Sequence, residues 1–255
     1  MAKKTTEKKE KIDLTQNVII LDVEGTSTAR PYNIGYIVAD LQGNIVLKRS
    51  YALPECIWEN LTSCMQCEEM THKNIQDILV DFGKPKELRK YTYITIENFK
   101  KILYHDIAVY NIREIWAYNC PFDKGSLNRL LGSEFIILDN FVAFYDILPA
   151  ITTTKLMSKS YVKYCQKNGY VTEKGNIMSK AEIVYRYLTG NNNFVEEHTG
   201  LADVQIEYQI LLTAINSHKN FDKTDTSQSW KMIKKFCEDN SIEVKPNIPP
   251  IEQET

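Results

Sequence analysis

The hydrophobic pattern near the start of the chain predicts consecutive β-strands. Residues 17–21 (NVIIL) form an apolar, β-branched run, which is typical of a strand covered on both faces. Residues 32–40 and 44–51 are also strand-like, and the turn at 41–43 (LQG) between them supplies hairpin chemistry. We therefore predict three strands in hairpin order, of which the last two are antiparallel.

Strand-like and helical patterns alternate along the rest of the chain. Short apolar runs predict strands at 115–118 and 141–145. Apolar residues at helical spacing predict helices at 95–104, 122–131, 146–166, 180–188, 201–215 and 230–237. The helix at 146–166 is expected to be weak at its threonines, 152–154. This order predicts an α/β fold in which helices pack on a mixed sheet.

Composition limits the class of protein. The 255 residues are 43% hydrophobic and 25% charged, which suits one compact domain and argues against a disordered chain, a coiled-coil rod or a collagen-like fibre. The chain has 31 Lys and Arg residues against 33 Asp and Glu residues, a formal net charge of −2. A protein that coats nucleic acid or an anionic membrane usually carries a large positive excess. Any nucleic-acid function must therefore be local, built at a site.

Both ends of the chain predict tails. Residues 1–14 are expected to form a solvated polar tail, and residues 219–255 a C-terminal helix followed by a tail. No apolar run approaches the length needed to span a bilayer. We expect a soluble intracellular protein without a membrane partner, located in the cytoplasm, or in the host cytoplasm if the chain is viral.

Acidic residues stand at three separated places where strands end or helices begin. Asp22 and Glu24 follow the first apolar strand two residues apart, so their carboxylates project to one side. Asp123 lies in the first turn of one predicted helix, and Asp203 in the first turn of another. His198 lies in the loop that enters the second of these helices. Four carboxylates and a histidine in this arrangement suit a site for two hard divalent ions with oxygen ligands.

These motifs resemble those of the DEDDh, or DnaQ-like, 3'-5' exonucleases of the ribonuclease H-like superfamily. The resemblance rests on Asp22-x-Glu24, Asn119-x-x-Phe122-Asp123-x-x-x-Leu127 and His198-x4-Asp203, in that order, and it covers about 17–215. It implies a ribonuclease H-like fold with a mixed five-stranded sheet, three strands in hairpin order and then parallel strands, and helices on both faces. It places an exonuclease domain at 15–218, with insertions at about 54–110 and 147–196 that are candidates to cover the substrate cleft.

The family's residue roles carry over to the matching positions. The resemblance implies that Asp22, Glu24, Asp123 and Asp203 bind two Mg²⁺ or Mn²⁺ ions and take part in catalysis, and that His198 deprotonates the attacking water. The implied enzyme removes nucleotides from the free 3' end of single-stranded nucleic acid, DNA slightly favoured over RNA, and releases nucleoside 5'-monophosphates. A stand-alone phage or bacterial exonuclease is the nearest description.

Several residues beside the motifs are candidates for holding the substrate. Thr26, through its backbone N–H, and Asn119 are candidates to contact the terminal nucleotide. Tyr118, Phe122 and Tyr32 carry rings that can stack on bases, although Phe122 is also expected to be a core residue.

Other readings of the sequence stay open. An endonuclease of the same fold would use the same acids, and a catalytically silent binding or scaffold protein would keep the fold for partner contacts. A polymerase or a replication or repair protein remains a possible partner. The six cysteines are expected to be reduced. Cys64-x2-Cys67-x4-His72, with Cys56 upstream, begins like a zinc knuckle, but the second half of the usual spacing is missing, so we favour partly buried thiols.

Overall fold

The computed structural model describes residues 12–26, 31–59, 69–217 and 219–245. This part of the chain contains a five-stranded sheet in the order β3-β2-β1-β4-β5. The strands are β1 (Val18–Gly25), β2 (Pro31–Ala39), β3 (Ile45–Ala52), β4 (Glu114–Ala117) and β5 (Ala143–Asp146). Strands β1 to β3 are antiparallel neighbours, whereas β4 runs parallel to β1 and β5 parallel to β4. The predicted α/β class and mixed sheet are confirmed.

Helices surround the sheet throughout the described residues. They are α1 (Pro54–Glu59), α2 (Glu69–Phe82), α3 (Ile96–Val109), α4 (Cys120–Leu131), α5 (Glu134–Phe141), α6 (Ile147–Ile151), α7 (Lys159–Lys167), α8 (Ala181–Thr189), α9 (Gly200–Ile215) and α10 (Ser229–Asp239). A 3-10 turn spans Lys86–Leu88, and a π-helical segment spans Thr152–Leu156.

Strand β1 separates two apolar clusters, one on each face of the sheet. Val18 and Ile20 belong to the cluster beneath α6 to α9. We call this side of the sheet the α9 face. Ile19 and Leu21 belong to the cluster beneath α3 to α5, which we call the α3 face. All four side chains are fully buried, so the prediction that this strand is covered on both faces is confirmed.

The single helix predicted at 146–166 is wrong. The segment forms α6, then the π-helical segment, and a new helix starts after Ser158, whose Oγ accepts a hydrogen bond from the Tyr161 N–H at 3.3 Å. The hydroxyl groups of Thr153 and Thr154 donate to the carbonyls of Pro149 and Ala150 at 2.8 Å. Threonine hydroxyls that bond back in this way disturb regular helical geometry, which agrees with the weak point expected there.

The strand predicted at 141–145 also needs correction. Phe141 ends helix α5, and β5 starts two residues later at Ala143. Helix α5 buries Phe135 and Leu138 but leaves Ile136 and Ile137 exposed. Because apolar residues occupy both its buried and its exposed positions, the sequence shows no amphipathic pattern that would predict a helix. Helices α1 and α2 in the insertion at 54–110 were likewise not predicted.

The chain packs on the domain beyond the expected tail boundaries. Ile12, within the tail predicted at 1–14, packs against the α9-face cluster, and the Leu14 carbonyl accepts a hydrogen bond from the Leu41 N–H at 3.0 Å. Ile233 and Cys237 of helix α10, predicted at 230–237, are buried in the same cluster. Residues 1–11 and 246–255 lie outside the described residues.

Candidate functional site

Asp22 and Glu24 lie at the carboxyl end of β1. Side chains two residues apart along a strand share a face, and Val18 and Ile20 lie on the α9 face. Asp22 and Glu24 continue this series, so their carboxylates project toward α9. In the ladder between β1 and β2, Asp22 lies opposite Gly35.

Helix α9 approaches the sheet closely beside Asp22 because two glycines face each other. A Cβ atom on Gly35 would overlap the backbone of Gly200, and a Cβ atom on Gly200 would overlap the backbone of Gly35. The Gly200 N–H also donates to Asn33 Oδ1 at 2.9 Å. These contacts fix the first turn of α9 against the strand that pairs with the two acids.

The close approach brings Asp203 to Glu24 and His198. Asp203 lies buried in the first turn of α9, where its N–H donates to the Thr199 carbonyl at 3.0 Å. Asp203, Glu24 and His198 each offer one potential ligand atom, and these three atoms lie within 4.8 Å of one another. Tyr32 approaches the group from β2, and its hydroxyl donates to Glu24 Oε2 at 3.4 Å.

Asp123 joins the group from helix α4. Asn119 has left-handed backbone angles (φ 62°, ψ 47°), so the chain turns sharply from β4 into the helix. Asp123 is buried in the first turn, and its Oδ1 accepts a hydrogen bond from the Val23 N–H at 2.9 Å. Val23 lies between Asp22 and Glu24 in the chain. The structure thus brings the four predicted acids to one edge of the sheet, with the predicted histidine beside them.

The carboxylates are buried and crowded, and their pKa values are raised. Burial, and then repulsion from Asp123 and Glu24, raises the pKa of Asp22 well above its usual range. Burial likewise raises the pKa of Asp123, against an opposing backbone hydrogen bond. Burial, and then the charge of Glu196, raises the pKa of Asp203 to about 9. Ionising all of these groups together therefore requires compensating positive charge.

A fifth acid, Glu207, belongs to the same group, although the motifs assign it no role. It follows Asp203 by one helical turn, so both side chains face the sheet, and it is buried. Its Oε2 accepts a hydrogen bond from the Tyr118 N–H at 3.4 Å, at the end of β4. Burial, and then the charges of Asp22 and Asp123, raises the pKa of Glu207 well above its usual range. The feature of the sequence that could have identified Glu207 is that it is an acid on the buried face of an amphipathic helix.

Asp146, the last residue of β5, holds the turn that precedes α4. Its Oδ1 accepts hydrogen bonds from the N–H groups of Asn119 and Leu148, each at 2.9 Å. Burial raises the pKa of Asp146 to about 6, although these hydrogen bonds oppose the rise. Asp146 therefore positions Asn119, and no motif in the sequence identified this contact.

Both insertions contact the loop that carries His198. His198 has a left-handed backbone (φ 52°), and its carbonyl accepts a hydrogen bond from the side-chain amide of Asn74, on α2, at 3.0 Å. From the other insertion, Arg186 on α8 donates to the Phe194 carbonyl at 2.6 Å. Within the loop, Glu196 Oε2 lies 3.9 Å from His198 Nδ1. The loop is therefore held by α2 of the first insertion and by α8 of the second, and Glu196, at the end of the second insertion, is close enough to Asp203 to raise its pKa.

Two of the predicted substrate contacts are exposed. Asn119 is exposed, and Phe122 is 40% exposed in the first turn of α4, beside buried Asp123. The expectation that Phe122 is a core residue is therefore wrong, and its ring is accessible at the site. Thr26, by contrast, is buried where β1 ends.

The two tyrosines proposed as stacking platforms are in less accessible positions. The hydroxyl of Tyr118 donates to the Ser179 carbonyl at 2.6 Å, and its ring packs against the α9-face cluster. Tyr32 is 2% exposed and bonds to Glu24. Tyr32 therefore has no exposed face for a base.

The described residues include only Cys56 and His72 of the zinc-knuckle-like group. Cys64 and Cys67 lie outside the described residues. Cys56 is a buried free thiol, and His72 Nε2 lies 3.1 Å from the side-chain amide of Gln76. The four cysteines in the described residues are all buried free thiols, in agreement with the prediction of reduced cysteines.

The carboxylate group suits hard divalent cations. Asp22 Oδ2 and Asp203 Oδ1 are buried without a hydrogen-bond partner among the described residues. Buried carboxylate oxygens without partners are costly, and a divalent ion would satisfy them. Carboxylate oxygens are ligands that hard cations prefer, whereas soft metals prefer thiolates.

No family model matches the chain, and no curated protein matches its sequence. Within the described residues, every helix is too short or too polar to traverse a lipid bilayer. The site must therefore be interpreted from its own residues.

Proposed function

We propose that the chain is a metal-dependent 3'-5' exonuclease of the ribonuclease H-like superfamily, acting on single-stranded nucleic acid, with DNA favoured slightly over RNA. The observation that carries the proposal is the convergence of acids from β1, α4 and α9 at one edge of the sheet, with His198 beside them. The strand order and directions are compatible with a ribonuclease H-like fold.

The energetic state of the acids supports a catalytic use of the site. Asp22, Asp123 and Asp203 are buried close to one another and, without cations, destabilise the fold when ionised. A scaffold protein with no need of cations would be more stable with neutral side chains at these positions. Strain of this kind is typical of active sites.

The residue roles follow from the chemistry of phosphodiester hydrolysis. Asp22, Glu24, Asp123 and Asp203 would hold two Mg²⁺ or Mn²⁺ ions, which when bound lower the pKa of coordinated water and stabilise the leaving 3'-oxygen. His198 accepts a proton from the attacking water, which its position beside Glu24 and Asp203 allows. The water oxygen bonds to phosphorus as the bond from phosphorus to the 3'-oxygen breaks. The 3'-oxygen stays on the shortened strand and takes up a proton from solvent, and a nucleoside 5'-monophosphate leaves.

The proposal is tested by incubating the purified protein with 5'-labelled single-stranded DNA and RNA in Mg²⁺. A ladder of shortened products is expected, and EDTA should abolish it. Asp22→Ala and His198→Gln should each lower the rate by at least about a hundredfold. His105→Gln, which alters an exposed histidine on α3, is the matched control and should leave the rate unchanged.

Two outcomes would contradict the proposal. Absence of a ladder with both substrates, together with no change in melting temperature on adding Mg²⁺ or Mn²⁺, would favour a catalytically silent binding or scaffold protein. Cleavage of a closed circular single strand at the rate of a linear one would favour an endonuclease of the same fold.

A further inference from the structure

An aromatic pocket lies in the insertion at 54–110, outside the carboxylate group. Its volume is about 390 Å³, and its walls include Trp58, Phe82 and Tyr93. Trp58 is 55% exposed. The rings of Phe82 and Tyr93 pack edge to face, with centroids 4.9 Å apart. Trp58 therefore presents an exposed flat surface of the kind that stacks on planar ligands, and the half-buried rings of Phe82 and Tyr93 form the wall beside it.

The pocket is attached to the same edge of the sheet as the carboxylates. The Ala52 N–H donates to the Thr92 carbonyl at 2.9 Å, and the Ile94 N–H donates to the Ala52 carbonyl at 3.2 Å. Ala52, the last residue of β3, lies opposite Asn33, which lies opposite Glu24. Two strand spacings separate Ala52 from Glu24, roughly 10 Å. Thr95 and Asn98, at the start of α3, also line the pocket, so it lies toward the α3 face. A strand whose 3' end lies at the carboxylates would therefore reach the pocket by passing over the carboxyl ends of the strands.

The shape of the pocket is held by a buried acid, Asp81. Its carboxylate accepts hydrogen bonds from the N–H groups of Lys90 and Tyr91, from the Tyr93 hydroxyl and from Lys84 Nζ, at 2.9 to 3.1 Å. Although burial opposes ionisation, these bonds lower the pKa of Asp81 to about 2. The loop between Phe82 and Tyr93 is therefore fixed in position by the Asp81 carboxylate, which stays ionised at neutral pH.

The same loop concentrates positive charge beside the pocket. Residues 84–90 (KPKELRK) contain four basic residues and one acid, in a chain whose formal net charge is −2. Lys84 pairs with Asp81 at 3.0 Å, so Lys86, Arg89 and Lys90 carry the charge that remains for a ligand. The guanidinium carbon of Arg89 lies 4.9 Å from the ring centroid of Phe82 and 5.3 Å from that of Tyr93. The local charge complements a phosphate backbone, and the rings beside it suit bases.

We propose that this pocket binds a nucleobase of the substrate strand, on the 5' side of the terminal nucleotide, and that residues 84–90 contact the adjoining phosphates. The identity of the strand rests on the proposed function. Aromatic platforms combined with a cationic track are the means by which proteins hold single strands without reading their sequence. The pocket would set the length of strand that the protein grips.

The proposal is tested by measuring the affinity of the His198→Gln protein, which keeps the four carboxylates and should bind with little cleavage, for single-stranded oligonucleotides in Mg²⁺. One abasic position is moved stepwise from the 3' end. We expect affinity to fall at the terminal nucleotide and again at one or two adjacent internal positions. Adding Trp58→Ala should weaken binding of the intact strand by roughly tenfold and abolish the internal loss. Trp58→Phe should retain most of the affinity.

Trp230→Ala is the matched control, because Trp230 is also half exposed but lies on α10. It should leave affinity unchanged, and melting temperatures of all variants should show that each is folded. A uniform effect of abasic positions, or equal affinity with and without Trp58, would overturn the pocket proposal while leaving the nuclease proposal intact. If wild-type protein degrades nothing but shows the Trp58-dependent internal loss, the nuclease proposal fails and the pocket proposal stands.

Discussion

At the scale of a single residue, Asp203 shows how a buried carboxylate lowers the stability of the fold when no cation compensates its charge. Its pKa is raised from 3.8 to about 9, first by burial and then by the charges of Glu196 and Glu24. A carboxyl whose pKa is higher in the folded than in the unfolded state binds its proton more tightly when folded. Its ionisation therefore destabilises the fold, progressively as pH rises from about 4 to about 9.

Replacing this charge should stabilise the ion-free protein. In EDTA, Asp203→Asn is expected to melt at a higher temperature than wild type. The difference should grow between pH 6 and pH 8, because the unfolded wild-type chain has released the Asp203 proton in this range while the folded protein still retains it. Mg²⁺ should raise the melting temperature of the wild type and have little effect on the variant. Melting curves with and without Mg²⁺ at the two pH values test both expectations.

Asp139→Asn provides the control, because Asp139 is a partly exposed acid that pairs with Lys124 at 2.9 Å. It should retain the full response to Mg²⁺. A lower melting temperature for Asp203→Asn in EDTA would contradict the view that the acids are strained without cations.

At the scale of elements, the contact between β2 and α9 determines whether the site exists. Gly35 and Gly200 have no room for a Cβ atom, and Gly35 lies directly opposite Asp22. A side chain at either glycine would push the first turn of α9 away from the sheet. Asp203 would then move away from Glu24.

Gly35→Ala is accordingly expected to lower the free energy of unfolding by about 1–3 kcal/mol or more and to reduce nuclease activity strongly. Gly125→Ala is the matched control, since Gly125 lies within helix α4 and its Cβ would approach only the Arg129 side chain, at 3.7 Å. That change should stabilise the protein by about 0.5–1 kcal/mol. Urea unfolding of both variants measures the two effects, and a stable, active Gly35→Ala protein would exclude the proposed role of the contact.

At the scale of the whole molecule, the sequence predicts those strands, helices and site residues that are marked by a pattern within a few neighbouring residues. Residues 17–21 predict β1 because a buried strand is an unbroken apolar run, and Leu201, Val204 and Tyr208 predict α9 because they recur at helical spacing. Asp22 and Glu24 stand out because charge directly follows an apolar strand. Each of these signals extends over only a few residues.

Contacts between distant parts of the chain could not be predicted in this way. The hydrogen bond from Asn74 to the His198 carbonyl joins residues 124 positions apart. Glu207 is recognised as part of the site only once α9 is seen to face Asp22 and Asp123. The break in the helix predicted at 146–166 depends on threonine hydroxyls that bond back to the carbonyls of Pro149 and Ala150.

The distribution of charge, rather than its sum, bears on function. The formal net charge of −2 excludes a general coat for nucleic acid. Two divalent ions would add four positive charges at the carboxylates, and residues 84–90 add a second positive region near the pocket. Binding of nucleic acid is therefore expected to be local and dependent on metal ions.

The most direct test of the proposed 3'-5' exonuclease activity is to identify the products from one reaction that contains a linear single strand and its closed circular form, with Mg²⁺. We predict that the linear strand is shortened from its 3' end, that nucleoside 5'-monophosphates accumulate, and that the circle stays intact. Linearisation of the circle, release of nucleoside 3'-monophosphates, or equal rates for wild type and Asp203→Asn would contradict the assignment of the carboxylates to a 3'-5' exonuclease site.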